Sequence, residues 1–186
     1  MNLAGELPRR RFTADEVIRM AEAGILGRDD RVELLEGELV VVPPQGPEHA
    51  AETVDLQLRL RVYEPGAHVR PQLPLAGGSE DLPEPDLAVV RGAPRDYTRR
   101  HPTGADTILV VEIARTSQAI DRRKAAIYAQ MGVPAYWIID LAKRRIEVRG
   151  DPTPDGEYRS TMLLAESDSV SPPGLGLTWS VASLLV

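Results

Sequence analysis

The chain contains no cysteine, which removes disulfides, thiolate metal sites and cysteine nucleophiles together. Histidine occurs only at positions 49, 68 and 101, with no HExxH spacing, so a dedicated zinc site is disfavoured and any metal is expected to be hard and oxygen-ligated. Aromatic residues make up 4%, too few for an extended base-stacking surface. Tyr128, Tyr136 and Trp137 are therefore read as core packing. GxGxxG, Walker and GxSxG patterns are absent, leaving nucleotide-fold and serine-hydrolase readings without support. No apolar run reaches membrane-span length, and Met1 to Glu6 lack the basic-then-apolar form of a signal peptide; the expectation is a cytoplasmic protein with no membrane partner. Lysine occurs twice, at 124 and 143.

What is present is an ordinary globular balance, 42% hydrophobic and 27% charged over 186 residues, which fits one domain spanning 1–186. The net charge of −6 opposes tight nonspecific duplex binding, because phosphate contacts need concentrated Lys and Arg. Arg91, Arg95, Arg99, Arg100 and His101 nonetheless cluster, as either a solvated surface loop or a phosphate-binding one.

In chain order, Thr13-Ala14-Asp15-Glu16 is a capping box that opens a helix to about Ala23, stopped by Gly24. Asp29-Asp30 predict a second short helix through Val32, Leu34 and Leu35, closed by Gly37, with a strand from Glu38 to Val42. A long helix follows over 48–63, its stripe set by Ala51, Val54, Leu58 and Val62 and widened by Leu56 and Leu60. His68 to Leu75 is read as a strand placed at an edge by Pro71 and Pro74. Beyond Asp140, Arg145 to Val148 and Tyr158 to Leu164 predict a hairpin turning at Asp155-Gly156. The apolar tail from Val181 has too little chain around it for local cover, which points to a homodimer or larger homo-oligomer; packing back on the sheet is the alternative.

The chemistry concentrates between Glu84 and Lys124. Leu87 to Val90 and Ile108 to Val111 read as interior strands. If they pair antiparallel, Asp86 at the start of the first falls beside Glu112 at the end of the second. A helix over 121–131, with Asp121 as N-cap, Ser117 shaping the turn before it and Gly132 at its C-terminal turn, leads to a strand over 135–140. That βαβ connection returns Lys124 toward the two acids. Paired carboxylates of this kind suit Mg²⁺, or are simply strand-end acids facing solvent. Glu84 shares strand parity with Asp86, and both it and Glu36 are candidates for a further metal or water contact; Glu36 could equally be a helix-end acid. His49, at the start of the long helix, is given a supporting role.

The succession EPDLAVV, VVEIARTS and DRRKAAIYAQMGVPAYWIID resembles the PD-(D/E)XK restriction-endonuclease-like superfamily and, more narrowly, the Uma-type endonuclease family. VELLEGELVVVPPQGPEHA and PDGEYRS extend the resemblance over nearly the whole chain. It implies an α/β fold with an αβββαβ core at about 48–140, a mixed central sheet, N-terminal helices and an added C-terminal β-hairpin. It also implies a Mg²⁺- or Mn²⁺-dependent endonuclease acting on DNA, with Asp86 and Glu112 as metal ligands and Lys124 as the phosphate- or water-contacting base. The superfamily pattern places lysine two residues after the second acid, where this chain has Ala114; the resemblance implies that Lys124 has taken over that role. The rival expectation is a non-catalytic nuclease-fold protein that binds nucleic acid or a protein partner.

Overall fold

A computed structural model describes residues 9–27, 29–114 and 118–185. The readings made on Met1 to Glu6 and on Ser117 lie outside the described residues. Helix α1 (Ala14–Glu22) opens with the expected capping box, Thr13 accepting from Glu16 N and Glu16 accepting from Thr13 N. Strands β1 (Val32–Leu35) and β2 (Glu38–Val41) follow, then helix α2 (Pro47–Leu60), which runs into a 3₁₀ turn at Arg61–Tyr63. Next come β3 (Ala67–Pro71), β4 (Leu87–Arg91), β5 (Thr107–Ala114), helix α3 (Gln118–Gln130) and β6 (Ala135–Asp140). The chain closes with β7 (Arg145–Pro152), β8 (Tyr158–Ala165), β9 (Ser169–Val170), β10 (Trp179–Ser180) and a 3₁₀ turn at Val181–Leu184.

The central sheet has six strands in the order β3-β4-β5-β6-β7-β8. Only β5 and β6 pair in parallel, through α3; the other neighbours are antiparallel. This is the expected αβββαβ order, with the C-terminal hairpin continuing the same sheet. Strand alternation sends Leu87, Val89, Leu109, Val111 and Ile113 to one face, where they pack on Leu56 and Leu60 of α2. Ala88, Val90, Val110 and Ala114 go to the other face, against Ala125, Tyr128 and Ala129 of α3. Layers of this kind bury both sheet faces, which explains the nearly continuous apolar runs of β4, β5 and β6. No helix among the described residues is long and apolar enough to cross a membrane.

Several expectations change. The short helix placed after Asp29 is instead the β1-β2 hairpin, pairing Leu35 with Glu38. Glu36 at φ 50° and Gly37 at φ 76° form the two-residue turn, the left-handed pair that such hairpins require. A Cβ at Gly37 would lie 2.7 Å from that of Arg11, so glycine is needed there for close approach as well. The stripe assigned to α2 is rotated: Val54, Leu58 and Val62 are exposed, whereas Glu52, Thr53, Leu56 and Leu60 are buried. Counting apolar side chains picks the wrong face because the inward face carries two polar residues. Strand β3 stops at Pro71, where Gln72 turns to φ 49°, although it is an edge strand as its prolines indicate. The loop between β7 and β8 spans 153–157 and turns through Asp155-Gly156 as expected, with Gly156 at φ 87° and Thr153 N donating to Glu157 O at 2.7 Å.

The tail is also corrected. Val181, Leu184 and Leu185 are buried in the core that packs on α2, and Val181 N donates to Asp168 O. The chain itself covers Val181, Leu184 and Leu185, so these residues give no reason for a second copy.

Candidate active site

Three strand and helix ends converge beside the α3 face of the sheet. Because Leu87 pairs with Val111, Asp86 lies next to Glu112, and its backbone N donates to Glu112 Oε2 at 3.3 Å. Asp86 Oδ2 accepts from Ile113 N at 2.8 Å and from His49 Nε2 at 2.9 Å, and Oδ1 accepts from Gln45 Nε2 at 3.1 Å. Gln45 and His49 stand either side of the α2 start, where Gly46 and Pro47 occupy N-cap and N1, the position proline tolerates best. His49 Nδ1 lies 3.3 Å from Thr53 Oγ1. Burial lowers the His49 pKa, but the hydrogen bond and charge of Asp86 outweigh it and raise the value above the usual imidazole range.

Glu112 projects from β5 toward α3. Its Oε1 accepts from Tyr128 Oη at 2.7 Å and lies 2.6 Å from Lys124 Nζ. Lys124 in turn sits 2.8 Å from Glu33 Oε2 and 3.2 Å from Oε1. All three charged groups are buried, with 3% of Lys124 and 4% of Glu112 exposed. Burial works against the ammonium, yet Glu112 and Glu33 overcome it and hold Lys124 protonated above its ordinary range. Glu112 is pushed up to about 8, chiefly by burial; Lys124 opposes this, and Asp86 and Glu33 add to it. Half-buried Glu84 is raised too, by burial and then by Glu33.

These groups line one open cleft of about 590 Å³, bounded by the β1-β2 hairpin, the start of α2 and the first turns of α3. Among the residues expected from the sequence, Asp86, Glu112, Lys124, Glu84 and His49 all line it. Glu36 does not. It stands on the outer hairpin turn, exposed and ion-paired with Arg123, because the segment is a hairpin and not a helix. Asp121 is buried inside α3 and lines the cleft; it is not the N-cap, since α3 begins at Gln118. Sequence reasoning misses Glu33 for the same reason that it favours Glu36. Reading V-E-L-L and E-L-V-V as strands facing each other across Glu36-Gly37 would have exposed it. Gln45 carries no signal in sequence beyond its place in a proline-rich turn.

The donor set suits a hard cation: all the acids are carboxylates, and their charge exceeds that of the cations around them. Among the described residues no group of three or more His, Asp or Glu side chains is placed to hold a metal ion.

Fold and site together define a restriction-endonuclease-like α/β protein. The comparisons agree. Residues 14–183 match the Uma2 family, described as "Putative restriction endonuclease", and the chain belongs to that family. A crystal structure described as "a putative nuclease belonging to DUF820 from Anabaena variabilis ATCC 29413" superposes with a TM-score of 0.72 at 21% identity, covering 93% of this chain and 97% of that one. At that identity the likeness is one of fold. Comparison with curated proteins finds no match.

Proposed function

We propose that the protein is a divalent-metal-dependent endonuclease that hydrolyses phosphodiester bonds in DNA. The observation that carries this reading is the meeting of Asp86, Glu112 and Lys124, from three separate elements, in one cleft. Asp86 and Glu112 would hold Mg²⁺ or Mn²⁺, which when bound lowers the pKa of water and offsets charge on the phosphate. The remaining work belongs to the chain itself. Gln45, His49 and the Ile113 amide fix the Asp86 carboxylate, and Tyr128 fixes Glu112. Lys124, held protonated between Glu33 and Glu112, serves as a fixed positive charge for the developing oxyanion, a role that does not require it to lose a proton.

The non-catalytic alternative rests on Ala114 and on the acidic net charge. Ala114 is buried on the same strand face as Glu112, and Lys124 of α3 lies in contact with Glu112 on that face. Plasmid cleavage with Mg²⁺ and Mn²⁺, alongside Mn²⁺ calorimetry, tests the proposal on wild type and Asp86→Asn. Asparagine can still accept from Ile113 N and His49, so the fold is retained. Wild type is expected to bind Mn²⁺ and cut, and the variant to do neither. Wild-type protein with neither heat nor cleavage would return the field to the non-catalytic reading.

A further inference from the structure

Edge strand β3 carries a second polar cluster on the same side of the sheet as Glu112. Arg70 pairs with Ala88 and His68 with Val90, residues that pack toward α3, and directly opposed side chains share a face. Arg70 stands opposite a residue two positions beyond Asp86, so it lies about 7 Å along the strand direction from that carboxylate. Both side chains bury a nitrogen that has no partner among the described residues: Arg70 Nε and His68 Nε2. A buried polar atom without a partner carries a desolvation cost, and an Arg70 Nε–H donor beside a His68 Nε2 that donates only in the imidazolium form marks a place for a ligand.

The surroundings fix the sign of that ligand. His68 Nδ1 donates to Gly92 O at 2.9 Å, so its ring is held with Nε2 free, and an oxyanion can accept from Nε2 when the ring carries both protons. The Tyr97 ring packs 5.7 Å from His68 and lies under the Arg100 guanidinium at 5.1 Å. His101 sits near Arg70, which, after burial, further depresses its pKa. Arg70 is likewise lowered by burial, and it makes no ion pair among the described residues. The connection from β4 to β5 adds Arg95 and Arg99, and of its two aspartates one is engaged by Arg100. On a chain of net charge −6, this is a concentration of positive charge without matching acid.

The geometry points to a phosphate-binding subsite on β3, formed by Arg70 and His68 with His101, that holds the DNA backbone next to the phosphate cut at Asp86 and Glu112. The identity of the ligand as DNA rests on the nuclease reading; the oxyanion chemistry does not.

The test follows the imidazole signals of the three histidines by NMR during titration with inorganic phosphate, without metal. His68 and His101 are expected to shift saturably while His49, bonded to Asp86, reports separately on the carboxylate cleft. Arg70→Gln should remove the shifts and leave the melting temperature unchanged or raised, since it breaks no ion pair among the described residues. Duplex affinity is then measured against salt in an Asp86→Asn background, which stops cleavage. Arg70→Gln should reduce the slope of log K against log salt by about one phosphate contact, and Arg70→Lys should keep the slope while binding more weakly. Phosphate shifts in a wild-type protein that cuts no DNA would sustain the subsite and remove the nuclease. Phosphate shifts with unchanged salt slopes would mean a site for free phosphate and overturn the backbone track. Cleavage by wild type, with no phosphate shifts and slopes unaltered in Arg70→Gln and His68→Gln, would leave ordered water as the occupant and end the proposal.

Discussion

Lys124 Nζ lies 2.6 Å from Glu112 Oε1, an ion pair between α3 and β5 whose side chains are 4% and 5% exposed. The pair makes Lys124 both a structural and a chemical residue, and the two roles separate in variants. Lys124→Met leaves Glu33 and Glu112 buried without their cation, and breaking such a buried pair costs about 3–5 kcal/mol. Cleavage should fall on the order of a hundredfold or more, together with the melting temperature. Adding Glu33→Gln removes one orphaned charge and should recover stability without recovering cleavage. Recovery of both in the double variant would make Lys124 a structural residue only.

The hairpin residues give a contrast within one short motif. Glu33 faces the buried lysine, whereas Glu36 on the turn is 46% exposed in its ion pair with Arg123. Glu36→Gln is expected to leave cleavage within about twofold and to change stability by under about 1 kcal/mol, as for exposed pairs generally. Glu33→Gln should lower cleavage by about tenfold, because it loosens the position of Lys124. Steady-state rates with matched thermal melts check both; equal effects of the two substitutions would remove the distinction.

Much of this site can be read from sequence because strand parity is a strong constraint. Leu87 to Val90 and Ile108 to Val111 are apolar throughout and must be interior, and once they pair antiparallel Asp86 and Glu112 must meet. Lys124 follows from the length of the β5-α3 connection. Glu33 and Gln45 do not, since Glu33 reaches the cleft on a strand whose pairing depends on the Glu36-Gly37 turn and Gln45 through a proline-rich turn. Glu36-Gly37 reads as a helix stop, a role glycine serves equally well, and two consecutive left-handed residues are not visible without the partner strand. The face of α2 is misjudged from sequence because Glu52 and Thr53, polar by type, are buried.

Glu112 should make stability pH-dependent in the absence of divalent ions. Its pKa is 4.5 when unperturbed and about 8 in the fold, so across that window the folded chain binds more protons than the unfolded one. Stability therefore falls as pH rises from about 5 to about 8. His49, also raised by Asp86, adds loss in the same direction above its ordinary value. Melts in chelator across this range should show the decline, Glu112→Gln should flatten it, and Mg²⁺ should oppose it in wild type. A wild-type melting temperature that climbs across the window would show that Glu112 is ionised throughout.

Position 114 offers the sharpest test of how the lysine reaches its place. Ala114 and Glu112 are two residues apart on one strand, so their side chains share a face. An ammonium carried from 114 therefore starts on the side of the sheet where that of Lys124 now ends. Ala114 is fully buried against α3, and inserting lysine into that layer in the wild-type chain should cost about 1–3 kcal/mol through overpacking. In the Lys124→Met chain, methionine is flexible enough to yield space, and the acids Glu112 and Glu33 are left needing a cation. Ala114→Lys on the Lys124→Met background should thus melt higher than Lys124→Met alone and regain about tenfold in cleavage. Ala114→Met on the same background controls for volume and should regain neither. If the chain carrying both Ala114→Lys and Lys124→Met folds yet cuts no faster than Lys124→Met alone, the approach from α3, and not the charge alone, is what the chemistry requires.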